Sequence, residues 1–176
     1  KPRPITVKAN DVTLDYGTTD FYALTQNNFE NAEGCGLQYD DTLQIVVSFE
    51  QNGISVTPKN VGSYNICPVG ALTLINGIAD TSNYDITYVN GALTINPKEI
   101  TVELLSQSFF YGDTAAYPVY ENNFENAADC QLQYNEKLTV YTQYKQNGVA
   151  VIPKNCGTYY ICAIESQTLI NGIADT

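Results

Sequence analysis

The apolar positions fall in short runs bounded by Gly, Pro and Asn, a pattern that predicts strands throughout rather than helices. Ile5-Thr6-Val7-Lys8-Ala9 opens the chain in this way after Pro2 and Pro4, and Ile100-Thr101-Val102-Glu103-Leu104 does so again after Pro97. Residues 43–49 are apolar and β-branched, and Gln51-Asn52-Gly53 turns them into a second run over residues 54–57. Further strands are predicted over residues 62–67 and 157–162. Tyr84-Asp85-Ile86-Thr87-Tyr88-Val89, Asn90-Gly91 and Ala92-Leu93-Thr94-Ile95 together predict a hairpin, because a type I′ turn needs two residues tolerant of positive φ. Residues 28–35 alone could make a helical turn, too short to be stable by itself.

The same elements occur twice. Asn27-Asn28-Phe29-Glu30-Asn31-Ala32 returns as Asn122-Asn123-Phe124-Glu125-Asn126-Ala127, Leu37-Gln38-Tyr39 returns as Leu132-Gln133-Tyr134, and residues 73–81 return as residues 168–176. The offset is 95 each time, and residues 1–81 share 39 identities with residues 96–176 without a gap. The chain is therefore read as two copies of one module, residues 1–95 and 96–176. The expected class is all-β: two tandem immunoglobulin-like β-sandwich modules, with β-grasp modules as the alternative. Within these residues the second copy has no counterpart of residues 82–95, so it is expected to lack the final hairpin. The start at Lys1 and stop at Thr176 are read as the ends of an excised window. The other reading is an open sheet edge that accepts a strand from another chain. Asn96-Pro97-Lys98-Glu99 is a short Pro-containing linker, expected to be stiff.

Composition narrows the chemistry. Lys and Arg number 8 against 19 Asp and Glu, and a net charge of −11 repels phosphate backbones and anionic lipid. Nucleic-acid partners and membrane insertion are not expected. No His is present, which removes Ser-His-Asp, Cys-His and His-metal chemistry. Fourteen Tyr and six Phe without Trp suit pleated, half-buried surfaces. Neither a signal peptide nor a long apolar span is found in the chain.

Five cysteines need partners. Cys35 and Cys67 recur as Cys130 and Cys162, which predicts disulfides Cys35–Cys67 and Cys130–Cys162 and an oxidising, extracellular setting. The alternative is that they are small buried apolar residues. Cys156 stands where the first copy has Val61 and is left unpaired, as a buried replacement or a free thiol. Identical acids are limited to Glu30/Glu125 and Asp80/Asp175, with Asp41/Glu136 similar, which is thin ground for a carboxylate dyad. Asp40-Asp41 and residues 80–85 offer oxygen ligands for calcium, but without an EF-hand pattern. No catalytic residue, metal site or cofactor is expected. Tyr16, Tyr22, Tyr39 and Tyr64 recur at the offset and read as packing residues, whereas Tyr120, Tyr141, Tyr144 and Tyr160 could form an exposed stacking surface for sugars.

Pro4-Ile5-Thr6-Val7, Tyr16-Gly17, Val61-Gly62-Ser63-Tyr64-Asn65-Ile66 and the run from Asn83 to Ile95 resemble the MBG-type repeats of bacterial surface proteins, and the resemblance covers essentially the whole chain. It implies tandem repeats of a secreted or wall-attached adhesin-like protein, located extracellularly at the cell surface, and no enzyme. The paired cysteines and the longer middle segment depart from that pattern. The resulting expectation is a non-catalytic stalk module whose partners are neighbouring repeats. The alternative is a module that binds a host glycan or protein, or that associates with itself into filaments by strand addition.

Overall fold

The computed structural model describes residues 1–19, 21–23, 25–75, 78–79, 82–170 and 173–175. The chain divides into two compact units, Lys1–Lys98 and Glu99–Thr176. The class is all-β, with no helix among the described residues, and residues 28–35 form turns instead.

The first unit contains β1 (Arg3–Lys8), β2 (Val12–Asp15), β3 (Thr42–Gln51), β4 (Ile54–Ser55), β5 (Gly62–Ile75), β6 (Ile78–Ala79), β7 (Tyr84–Val89) and β8 (Gly91–Asn96). Strands β3 and β5 form its long antiparallel centre, with a bulge between Val46 and Val47. β8 lies antiparallel to β5, β2 lies parallel to β8, and a separate two-stranded sheet joins β1 to β7 in parallel. Alternation along the strands fills two adjoining clusters. Ile5, Val7 and Tyr84 meet Leu43, Ile45 and Phe29 in one, while Leu93, Ile95, Tyr64, Ile66 and Ala9 form the other. Val47 borders both.

The expected hairpin at Asn90-Gly91 does not exist. β7 pairs with β1 and β8 pairs with β2 and β5, so the chain passes from one sheet to the other at Asn90. Neither Asn90 nor Gly91 has the positive φ a type I′ turn requires. The glycine serves a different need: a Cβ there would stand 2.5 Å from the Asn10 carbonyl oxygen and 2.7 Å from that of Ala9. Residues 9–11 make the same crossing alongside. Ala9 N–H donates to the Val89 carbonyl at 3.0 Å before the bend, and Ala92 N–H donates to Asp11 Oδ1 at 2.8 Å after it. Asn52-Gly53 and Asn147-Gly148 do turn as expected, with positive φ at all four residues.

The second unit contains β9 (Lys137–Gln146), β10 (Val149–Val151), β11 (Tyr160–Ile170) and β12 (Ile173–Asp175), in the order β10-β9-β11-β12. These repeat β3 to β6 at the offset of 95. Residues 100–104 and 157–159, expected as strands, are not in strands. Strand geometry is defined by pairing, and in the first unit β7 and β8 pair with the equivalents of these residues.

Gly91→Val should lower the stability of the first unit by about 1–3 kcal/mol, because the obstruction is backbone rather than a movable side chain. Chemical denaturation would measure this, and an unchanged midpoint would contradict the close approach.

Candidate functional site

A repeated segment, residues 27–31 and its twin 122–126, is built to hold strands. Asn27 N–H donates to the Leu43 carbonyl at 2.7 Å while its Oδ1 accepts from Leu43 N–H at 3.0 Å, and Asn122 does the same to Leu138 at 2.7 and 3.1 Å. Both asparagines sit at positive φ, 55° and 57°, which Asn tolerates better than most residues. Asn31 Oδ1 accepts from Lys8 N–H at 3.0 Å and its Nδ2 donates to the Thr6 carbonyl at 2.9 Å, so one amide side chain acts as a neighbouring strand for β1. Asn126 makes the same two bonds, each 2.9 Å, to Glu103 and Thr101. Tyr117 hydroxyl donates to the Asn123 carbonyl at 2.6 Å, and Tyr22 and Asn28 are linked likewise. Asn123 is fully buried and bonded to Pro118 and Val140.

Among the acids, Glu30 pairs with Lys8 at 2.6 Å, which raises the Lys8 pKa. Lys8 is replaced by Glu103 in the second copy, so this ion pair is not repeated. Asp41 accepts a 2.6 Å bond from Tyr84 hydroxyl, which also accepts from Gln38 N–H. Asp80 lies outside the described residues. Among the described residues no three His, Cys, Asp or Glu gather as metal ligands would.

The disulfide expectation is corrected: Cys35, Cys67, Cys130, Cys156 and Cys162 are all free thiols. Cys35 donates to the Ala32 carbonyl at 3.4 Å and packs against the Ile5 cluster. Cys67, next to Ile66 in β5, takes the opposite side of the pleat from that core residue. It lies beside Glu50, and burial first, then that carboxylate, pushes its thiol pKa up. Cys130 is buried with Phe124, Leu138 and Val140 and donates to the Ala127 carbonyl at 3.5 Å. Retained spacing here marks packing positions rather than bridges. Cys156 is exposed.

The tyrosines peculiar to the second copy do not gather into one stacking face. Tyr141 hydroxyl donates to Gln167 Oε1 at 3.5 Å and Tyr144 hydroxyl to Gln107 Oε1 at 2.7 Å, whereas Tyr120 and Tyr160 are exposed. The second unit has a trough of about 360 Å3 of mixed polar and apolar lining, which includes Phe109, Phe110, Tyr111, Tyr144, Tyr159 and Ile161. Sequence reasoning missed this trough. Its signal was the apolar run Phe109-Phe110-Tyr111.

No family model matches the sequence, and no solved structure matches it. Over 104 residues, 57% of the chain, it is 36% identical to a beta-amylase of Glycine max. That stretch is 18% of the relative, so the chain spans less than a fifth of that protein's length.

Alkylation under native conditions should modify Cys156 first and the buried Cys67 and Cys130 last, and in denaturant without reductant all five should react. Mass spectrometry would count them. Fewer than five reactive thiols in denaturant would restore a bridge.

Proposed function

We propose that the chain is a non-catalytic structural stretch of an extracellular bacterial surface protein, its two β-modules serving as repeated units of a stalk. The observation that carries this reading is the role of the repeated residues. Asn27, Asn31, Asn122 and Asn126 spend their side chains on backbone groups of neighbouring strands. Phe29 and Phe124 are buried in equivalent clusters. Tyr64 and Tyr159 each donate to a carbonyl four residues earlier, at 2.7 and 2.8 Å. Repetition has thus preserved scaffolding at these positions.

The extracellular location and the bacterial surface assignment rest on the resemblance to MBG-type repeats. The cysteines no longer contribute to it, because they are unbridged. The beta-amylase likeness touches under a fifth of its relative.

Two assays on the 176-residue chain test the proposal: amylase activity, and binding to glycan and matrix-protein arrays with and without calcium. No turnover and no specific ligand are expected. Amylase turnover would overturn the non-catalytic reading, and a saturable glycan or host-protein ligand would replace the stalk with a binding module.

A further inference from the structure

Among the described residues Asn-Gly occurs at 52–53, 90–91 and 147–148, and the pairs are held in two different ways. At Asn52-Gly53 and Asn147-Gly148 the pair is the turn itself. Those residues have positive φ and are exposed, and a Cβ on either glycine would meet nothing within 4 Å. Gln51 pairs with Ile54 and Gln146 with Val149 across these turns, which leaves the glycine N–H outside the ladder. Asn90-Gly91 is the opposite case. Asn90 is exposed, but Gly91 is buried and its Cβ position lies 2.5 Å from the Asn10 carbonyl oxygen. Gly91 stands opposite Ile66 in the antiparallel pairing of β8 with β5, and Ala92 N–H turns the other way, to Asp11. Alternation therefore points the Gly91 N–H at β5. Just before the bend, the Val89 carbonyl is fixed by the bond it accepts from Ala9 N–H. The peptide link between residues 90 and 91 is thus pinned from both sides.

Asn followed by Gly carries a reaction of its own, one source of the thermal lability of Asn. The backbone nitrogen of the glycine attacks the Asn side-chain carbonyl carbon, Cγ, and glycine, lacking a Cβ, obstructs that approach least. The Cγ–N bond forms as the Cγ–Nδ2 bond breaks. Ammonia leaves with the glycine's amide proton, and a cyclic imide remains. Water then opens the imide. Opening at Cγ gives aspartate; opening at the main-chain carbonyl gives isoaspartate, in which the backbone runs through Cγ and is longer by a methylene. Water is the sole co-reactant, and nothing is oxidised or reduced.

We propose that Asn90-Gly91 is a latent self-modification site, silent while the first unit is closed and converted to isoaspartate when β8 parts from β5. Attack requires rotation about the bond between the Asn90 Cα and its carbonyl carbon, and release of the Gly91 N–H from β5. Both are blocked while residues 9–11 lie against the crossing. Once converted, residue 90 brings a carboxylate and a longer backbone into a place where Gly91 already touches the Ala9 and Asn10 carbonyl oxygens and Asp11 holds the next amide. The closed crossing cannot be rebuilt around that insertion. An opening that outlasts the reaction is therefore recorded in the covalent structure of the chain. The residue types fit such a site: the close approach demands Gly91, whereas Asn90, without positive φ, answers no backbone requirement of the fold.

The test incubates the full 176-residue chain with and without denaturant and follows residues 52, 90 and 147 by peptide mapping and isoaspartate-specific methyl transfer. In denaturant the three sites should convert at comparable rates. In the native chain, conversion at Asn90 should be suppressed at least about 10-fold more than at Asn52 and Asn147, because only open molecules react there. Suppression no greater at Asn90 than at the two turns, including native silence at all three, would overturn the proposal. Refolding gives a second readout. After partial conversion in denaturant, chains with isoaspartate at residue 90 should show amide exchange at Ala9 and Leu93 faster by at least about 10-fold, while Asn90→Ser chains given the same treatment should regain native protection. Full protection in the isoaspartate chains would overturn the proposal, as would an equal loss in Asn90→Ser, which would place the damage elsewhere.

Discussion

The closure of the first unit depends on bringing residues 3–15 and 84–96 side by side in parallel. Each is bent in the middle, at residues 9–11 and at Asn90, and the bends coincide because Gly91 lets one backbone pass within contact of the other. The first halves of the pair close the cluster around Leu43, and the second halves enter the main sheet and close the cluster around Ile66. A module organised in this way joins its two ends late, since the pairing links positions about 80 residues apart and a large loop must be ordered first.

The second unit shows how much of the module stands without that pairing. The central antiparallel strands, their turns and the Phe124 cluster are present, with the same left-handed residues at the same offset. Among the described residues of the second unit no equivalent of the cluster around Ile66 is present, and residues 100–104 and 107–110 are not strands. Identical sequence, Ile-Thr-Val at residues 5–7 and 100–102, thus takes two states according to whether a partner lies alongside. This is tertiary context deciding strand formation over local propensity.

That comparison also explains what was legible in the sequence. The repeat, the all-β class and the turns at Asn52-Gly53 and Asn147-Gly148 follow from local patterns, and they are present. Asn90-Gly91 misled because the same dipeptide satisfies two demands, positive φ and absence of a Cβ, and only coordinates tell which applies. The cysteines misled in a related way: retained at both positions of both copies, they occupy small sites, Cys35 against one core cluster and Cys67 across the pleat beside Glu50. Asn31 and Asn126 read as loop residues because nothing local indicates that a side-chain amide will pair with a strand some 25 positions away. The trough was signalled only by Phe109-Phe110-Tyr111, because its other side comes from residues 153–159, some 45 positions further on.

The parallel arrangement of the first and last strands has a mechanical consequence. When tension is applied to the two ends of the first unit, β1 and β2 are drawn one way and β7 and β8 the other, along the direction in which they lie. The bonds from Arg3 to Asn83, Ala9 to Val89 and Tyr16 to Asn96 are then loaded together in shear instead of being peeled apart one after another. A hairpin at the same place would have unzipped from its open end. By replacing it with two parallel ribbons that share a bend, the module distributes a pulling force over its whole closing seam.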